Sequence, residues 1–212
     1  MTPRSLLTGT LALLVLAAAA PALPPWLVSL ATVSFANALV VVGLVILWRA
    51  GLVSFGQALY YAVGAYSVAL LSRLAGVSDA LALLLAGGLA AALVSFLVGF
   101  LLARYREIFF AMLSLAMSMI FYGALVKTET LGSTDGFNVA PPTFFGYALQ
   151  SRTQGLALFW LTLAVSGLVG LLISGYFRSV AGALAAPVRD NEIRVEFLGL
   201  SVNRLIHLKL VL

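Results

Sequence analysis

Trp26–Trp48 reads WLVSLATVSFANALVVVGLVILW. No charged residue interrupts it, and Asn37 is its one strongly polar side chain. A helix of about 20 apolar residues matches the hydrocarbon thickness of a bilayer. The stretch is therefore long enough to cross a membrane, and that decides the fold class. A buried asparagine is costly unless it is paired, which turns Asn37 toward neighbouring helices rather than lipid.

Working outward, runs of the same character cover 6–20, 52–72, 80–103, 108–126 and 155–177. The chain is 63% hydrophobic and only 9% charged, where soluble domains carry about 25% charged residues. Its mean hydropathy is +1.12. The expected fold is all-α: a polytopic membrane helix bundle of about six spans in a single domain, 1–212. A truncated seventh span is expected after Arg204. The apolar run Leu205–Leu212 would rise only about 12 Å as helix, against a hydrocarbon core of roughly 30 Å. On that reading the domain is incomplete at its C-terminus. At the other end, Arg4, the apolar run and Ala18–Ala22 have the form of a cleavable signal peptide; the alternative is an uncleaved first span ending at Pro21. A polytopic protein needs no removable signal, which favours the span.

Composition also excludes functions. There is no Cys, so disulfides and thiol chemistry are out. The net charge of +5 comes from basic residues spaced singly at the ends of apolar runs, a pattern of orientation signals rather than of nucleic-acid binding. The single histidine, His207, reads as a packing residue, and no metal site is expected. None of the six assigned spans contains Asp, Glu, Lys, Arg or His. That argues against a membrane enzyme and against proton coupling through intramembrane carboxylates. Sodium coupling through backbone carbonyls stays open.

Inside the spans, several patterns have two readings. Gly51 and Gly56 weaken helix around Ser54 and Gln57, so the third segment is expected to start broken or re-entrant. Gln57, Tyr61 and Gly64 share a helical face; they either pack helices together or line a translocation path. Ser114, Ser118 and Tyr122 form another stripe, but such hydroxyls can also bond their own backbone. Gly87/Ala91, Gly88/Ala92, Ser166/Gly170 and Gly170/Ser174 are spacings that let helices approach closely.

The one strongly charged segment is Gly182–Lys209, GALAAPVRDNEIRVEFLGLSVNRLIHLK. It reads as a short helix, a break and a second helix. Asp190 is placed to cap the first and to pair with Arg194 at i,i+4. Ile193, Phe197 and Leu200 fall on one face. Gly199 suits a left-handed termination, and Ser201 can cap the helix that follows. The result is a short amphipathic helix between membrane elements.

The order of residues in RDNEIRVEFLGLSVNRLIHLK closely resembles the cytoplasmic loop of permease subunits from branched-chain amino acid ABC transporters. That family has an R-x-N-E-x segment followed by an E-x-L-G turn. Two further stretches resemble it in the right order. AGLVSFGQALYYAVGAY (50–66) is similar to the family's S-x-G-(Q/H)-A…G-A-Y run. Gly132–Gly136, before Pro141-Pro142, is similar to its G-x-(S/T)-(D/N)-G loop. In the fifth span the family's R-G-x-Y-F-A…T-L-A pattern is met with Glu107 at the glycine position and Ser114 at the threonine position.

The resemblance implies an ATPase-coupling helix. Glu192, Glu196 and Gly199 match its pattern, Asn191 and Arg194 match more loosely, and Asp190 opens it. It also implies a translocation path, for which Asn37, Ser54, Gln57, Tyr61, Ser114 and Ser118 are the candidates. The implied partners are ABC ATPase subunits that bind the ATP, a second permease subunit, a periplasmic or extracellular solute-binding protein, and the lipid of the cell inner membrane. The chain itself is expected to be no enzyme and to hold no cofactor. The implied cargo is branched-chain amino acids, with amides, urea or sugars in related permeases; the competing class is an ion-coupled carrier or channel.

Charge asymmetry points the same way. With six spans, Arg4, Arg49, Arg104, Arg106, Arg178, Arg189, Arg194, Arg204 and Lys209 share one side, and only Arg73, Lys127 and Arg152 the other. The first side is then cytoplasmic, which puts the charged segment where ATP is and the Gly132–Gly136 loop outside.

Overall fold

The computed structural model describes residues 3–133, 136, 138–197 and 199–211. Thr134 and Asp135 of the glycine-rich run, and the side chain of Arg4, lie outside the described residues. The helices, in order, are α1 Pro3–Ala19, α2 Pro25–Trp48, α3 Gln57–Ala75, α4 Ala80–Leu102, α5 Glu107–Lys127, α6 Ser151–Arg178, α7 Val180–Ala183, α8 Ala185–Asp190, α9 Glu192–Phe197 and α10 Val202–Val211. The all-α class is as expected. By length and composition, five of the described helices, α2 to α6, can cross a membrane, and the apolar helix Thr8–Ala22 is shorter.

The chain divides into two compact units, Met1–Val42 with Leu149–Leu184, and Gly43–Ala148 with Ala185–Leu212. In the first, α1 lies against α6. Ala20, Val28, Phe159 and Leu163 form its core, with Phe35 edge-on to Phe159 at 6.3 Å. The Trp160 indole N–H donates to the Ala17 carbonyl at 3.1 Å. The close approach uses Gly167, where an added Cβ would sit 3.3 Å from Leu13, whereas Gly170 faces open space. The spacing that suggested Gly170 was right in kind and wrong in register.

In the second unit, α3 and α4 are the most intimately packed pair. A Cβ at Gly87 would fall 3.1 Å from the Gly64 carbonyl oxygen, while Gly88 meets nothing. Only the Gly87 register of the two small-residue pairs is used. Asp79 ties the long loop back to this hairpin. Its Oδ1 caps α4 by accepting from the Leu81 and Ala82 amides at 3.0 and 3.2 Å, and its Oδ2 accepts from the Phe145 amide at 2.8 Å.

The third segment starts later than its hydropathy suggests. α2 ends in a Schellman turn, with Leu52 N–H on Leu47 C=O, Gly51 N–H on Trp48 C=O and Gly51 at φ +80°. The chain then runs non-helically to Gly56, and helix resumes at Gln57. The broken start is therefore present, and the 52–72 span is corrected to a non-helical lead followed by α3.

Glu107, at the start of α5, has φ +49°. An L side chain in that region costs roughly 1–2 kcal/mol, which glycine avoids. The resemblance set a glycine at this position, and the backbone supplies the reason. Glu107→Gly is expected to add about 1 kcal/mol of stability, read as a higher unfolding midpoint in detergent. An unchanged midpoint would mean that the Glu107 side chain makes compensating interactions.

Candidate functional site

The charged segment folds as α8, α9 and α10 across the ends of α2, α4 and α5. Ala185 and Val188 of α8, Val195 of α9 and Val202, Ile206 and Leu210 of α10 are buried. All but Ala185 join Leu47, Leu52, Leu102, Ala103 and Phe110 in one cluster. Gly51 is wedged here too, since an added Cβ would lie 3.0 Å from Cγ of Arg189.

α9 is thus anchored by one apolar side chain. Val195 is 1% exposed, whereas Ile193 is 64% and Phe197 86% exposed. The face on which the sequence places Ile193, Phe197 and Leu200 is mostly bare; only Leu200 packs against the cluster. Asp190, Asn191, Arg194 and Glu196 are exposed as well, and Glu192 is half-buried. Gly199 ends the segment at φ +79°, and Ser201 caps α10 by accepting from the Arg204 amide at 3.4 Å.

Two expectations for this segment are corrected. The cap of α9 is Asn191, whose Oδ1 accepts from the Arg194 amide at 3.1 Å; Asp190 is the last residue of α8. Because Asn191 interrupts the helix, Asp190 and Arg194 are not one helical turn apart, and no ion pair joins them. Glu192 instead pairs with Arg106, Nε to Oε1 at 2.5 Å.

Lys209 also departs from expectation. It lies in α10 and is 3% exposed, so it is no loop residue, and the charge asymmetry holds without it. His207 is a packing residue as expected, edge-on to Phe96 and Phe100 at 5.0 and 4.4 Å and over Gly99.

Of the candidate path residues, three converge. Ser114 of α5, fully buried, accepts from the Phe55 amide at 3.0 Å and donates to the Ala111 carbonyl at 2.8 Å. Ser118 donates to the Ser114 carbonyl at 3.2 Å and, at 3.4 Å, to the Phe55 carbonyl. Ser54 Oγ accepts from the Gly56 amide at 3.1 Å. These hydroxyls supply hydrogen bonds that the unwound Leu52–Gly56 backbone cannot make within a helix. Gln57 stands directly after them, half-buried. Tyr61 is exposed and makes no hydrogen bond to the serines among the described residues; Asn37, exposed too, belongs to the other unit. Sequence reasoning missed Arg106, whose side-chain partners Glu192 and Asn203 lie far along the chain.

Five helices long and apolar enough to cross a membrane, with a short polar helix after them, define a multi-pass membrane protein. Residues 26–212 match the family model described as branched-chain amino acid transport system / permease component, and the chain belongs to that family, one of multi-pass inner-membrane permeases. It is 31% identical over 222 residues to the high-affinity branched-chain amino acid transport system permease protein LivM of Escherichia coli, covering 92% of this chain and 51% of that one. To the protein of the same name from Salmonella typhimurium it is 30% identical over 201 residues, covering 84% and 47%. The chain therefore spans about half the length of the curated relatives it matches. No solved structure matches it.

Proposed function

We propose that this chain is the permease part of an ABC importer for branched-chain amino acids, driven by ATP hydrolysis in a separate subunit. The observation that carries the reading is α9: a short helix pinned by Val195 that leaves Ile193 and Phe197 uncovered beside a row of charges. An apolar pair bared on a polar helix is the form of a helix that seats in a partner's groove. Charge asymmetry puts this end in the cytoplasm, where an ATPase would meet it. Family membership supports the cargo class.

In this reading the chain binds no ATP. A second permease subunit completes the pathway, and a solute-binding protein delivers cargo to the opposite face, where Asp79 holds the loop. Ser54, Gln57, Ser114 and Ser118 border the pathway at the unwound segment. The driving step is a change in how α9 is held, which biases the spans between two arrangements.

Reconstitution tests this directly. The full-length protein in proteoliposomes, with its ATPase subunits and binding protein, should take up leucine only when ATP is present. Leucine uptake driven by a sodium or proton gradient without the ATPase would overturn the proposal in favour of an ion-coupled carrier.

A further inference from the structure

We infer that Arg106 is the positioning residue that links movement of α9 to the membrane helices. The inference rests on the docking reading above and extends it to a residue which that reading leaves unused.

The geometry sets Arg106 apart. Its guanidinium reaches four acceptors on three stretches of chain. Nε donates to Glu192 Oε1 of α9 at 2.5 Å. Nη1 donates to the Ala103 and Tyr105 carbonyls at 2.5 and 3.0 Å, just past the end of α4. Nη2 donates to Asn203 Oδ1 of α10 at 2.7 Å. Its own carbonyl accepts from the Phe110 amide at 3.2 Å and so starts the helical bonding of α5. One residue therefore holds α9, α10, the end of α4 and the start of α5 in register.

Apolar contact alone would not do this. Val195 in its cluster resists separation, but burial is non-directional and lets a helix slide or roll. A planar guanidinium fork fixes direction as well as distance. The Arg106 and Glu192 side chains are 25% and 36% exposed, and a pair this open contributes little to stability. What it contributes is transmission: a pull on Glu192 reaches α4, α5 and α10 through one side chain. Lysine, a point charge, would keep the attraction and lose the fork.

The test uses the full-length protein assembled with its ATPase subunits and binding protein in proteoliposomes, reading leucine taken up per ATP hydrolysed. Arg106→Gln should lower that ratio roughly ten-fold, within the range of coupling between sites, with the ATPase subunits still co-purifying and the unfolding midpoint close to the parent's. Arg106→Lys should recover only part of the ratio. The exchange Arg106→Glu with Glu192→Arg should recover more than either single reversal. If the Arg106→Gln protein fails to reach the membrane, Glu192→Gln and Asn203→Ala, which each remove one arm, take its place and should each lower the ratio several-fold. An unchanged ratio in the variants that assemble overturns the inference. So does a loss of ATPase binding that accounts for the whole effect, because Arg106 would then shape the docking surface rather than transmit from it. The docking reading fails separately, when truncating Ile193 and Phe197 leaves the ATPase bound.

Discussion

Ile193→Ala together with Phe197→Ala is expected to release the ATPase subunits from the full-length protein while leaving it folded. Both side chains project from α9 with most of their surface in the open, and Val195, which does the anchoring, is untouched. Covering a large apolar side chain is worth about 1.5–3 kcal/mol, and a central aromatic anchor at an interface often costs 2 kcal/mol or more when truncated. Two such losses correspond to a fall in affinity of at least about 100-fold, enough to lose the partner during purification. The measurement is co-purification of the ATPase with the variant, alongside its unfolding midpoint. Retention of the ATPase with uptake intact would sink the docking role and assign the two side chains to the bilayer interface, where exposed aromatic residues also settle.

The spans were legible in the sequence because a bilayer demands one property, length of apolar helix, that a linear pattern states directly. α2, α4 and α5 fall within a residue or so of their hydropathy limits. α3 does not, because hydropathy cannot tell apolar helix from apolar extended chain; the glycines at 51 and 56 carried that information, and the expected broken start lies between them. The charged segment was readable as caps and breaks. Yet the choice between Asp190 and Asn191 as cap turned on one residue of register, and the expected Asp190–Arg194 pair failed with it.

What local spacing could not supply was any contact made across the fold. Arg106 meets Glu192 and Asn203 from far along the chain. The Ser114 stripe looked like ordinary hydroxyl back-bonding, and it does bond its own helix; its second partner, the Phe55 amide, belongs to a segment that had to be unwound first. Departures from the family pattern were informative in the same way. A glutamate at a glycine position is only an oddity in sequence and becomes a left-handed backbone in structure.

That second partner makes Ser114→Ala the other substitution with a large expected effect. Ser114 is fully buried, and its hydroxyl accepts the hydrogen bond of the Phe55 amide at 3.0 Å. Removing one oxygen leaves a part-buried backbone N–H without that partner, at a cost of about 1 kcal/mol, the low end for an unsatisfied donor. The site offers little room for repair by movement, since an added Cβ on Gly56 would sit 3.3 Å from Cβ of Ser114. A small drop in unfolding midpoint is expected, but the sharper readout is leucine uptake per folded transporter. α5 carries Arg106 just before its first turn and Ser114 about 12 Å further along, at 1.5 Å per residue, so it joins the polar end of the unit to the unwound segment. If that segment borders the pathway, loosening it should cut specific uptake several-fold while ATP hydrolysis continues, and Ser118→Ala, whose contact with the Phe55 carbonyl is long at 3.4 Å, should do markedly less. Specific uptake equal to the parent's, with only the midpoint lowered, would reduce Ser114 to a clamp on the backbone and remove it from the pathway.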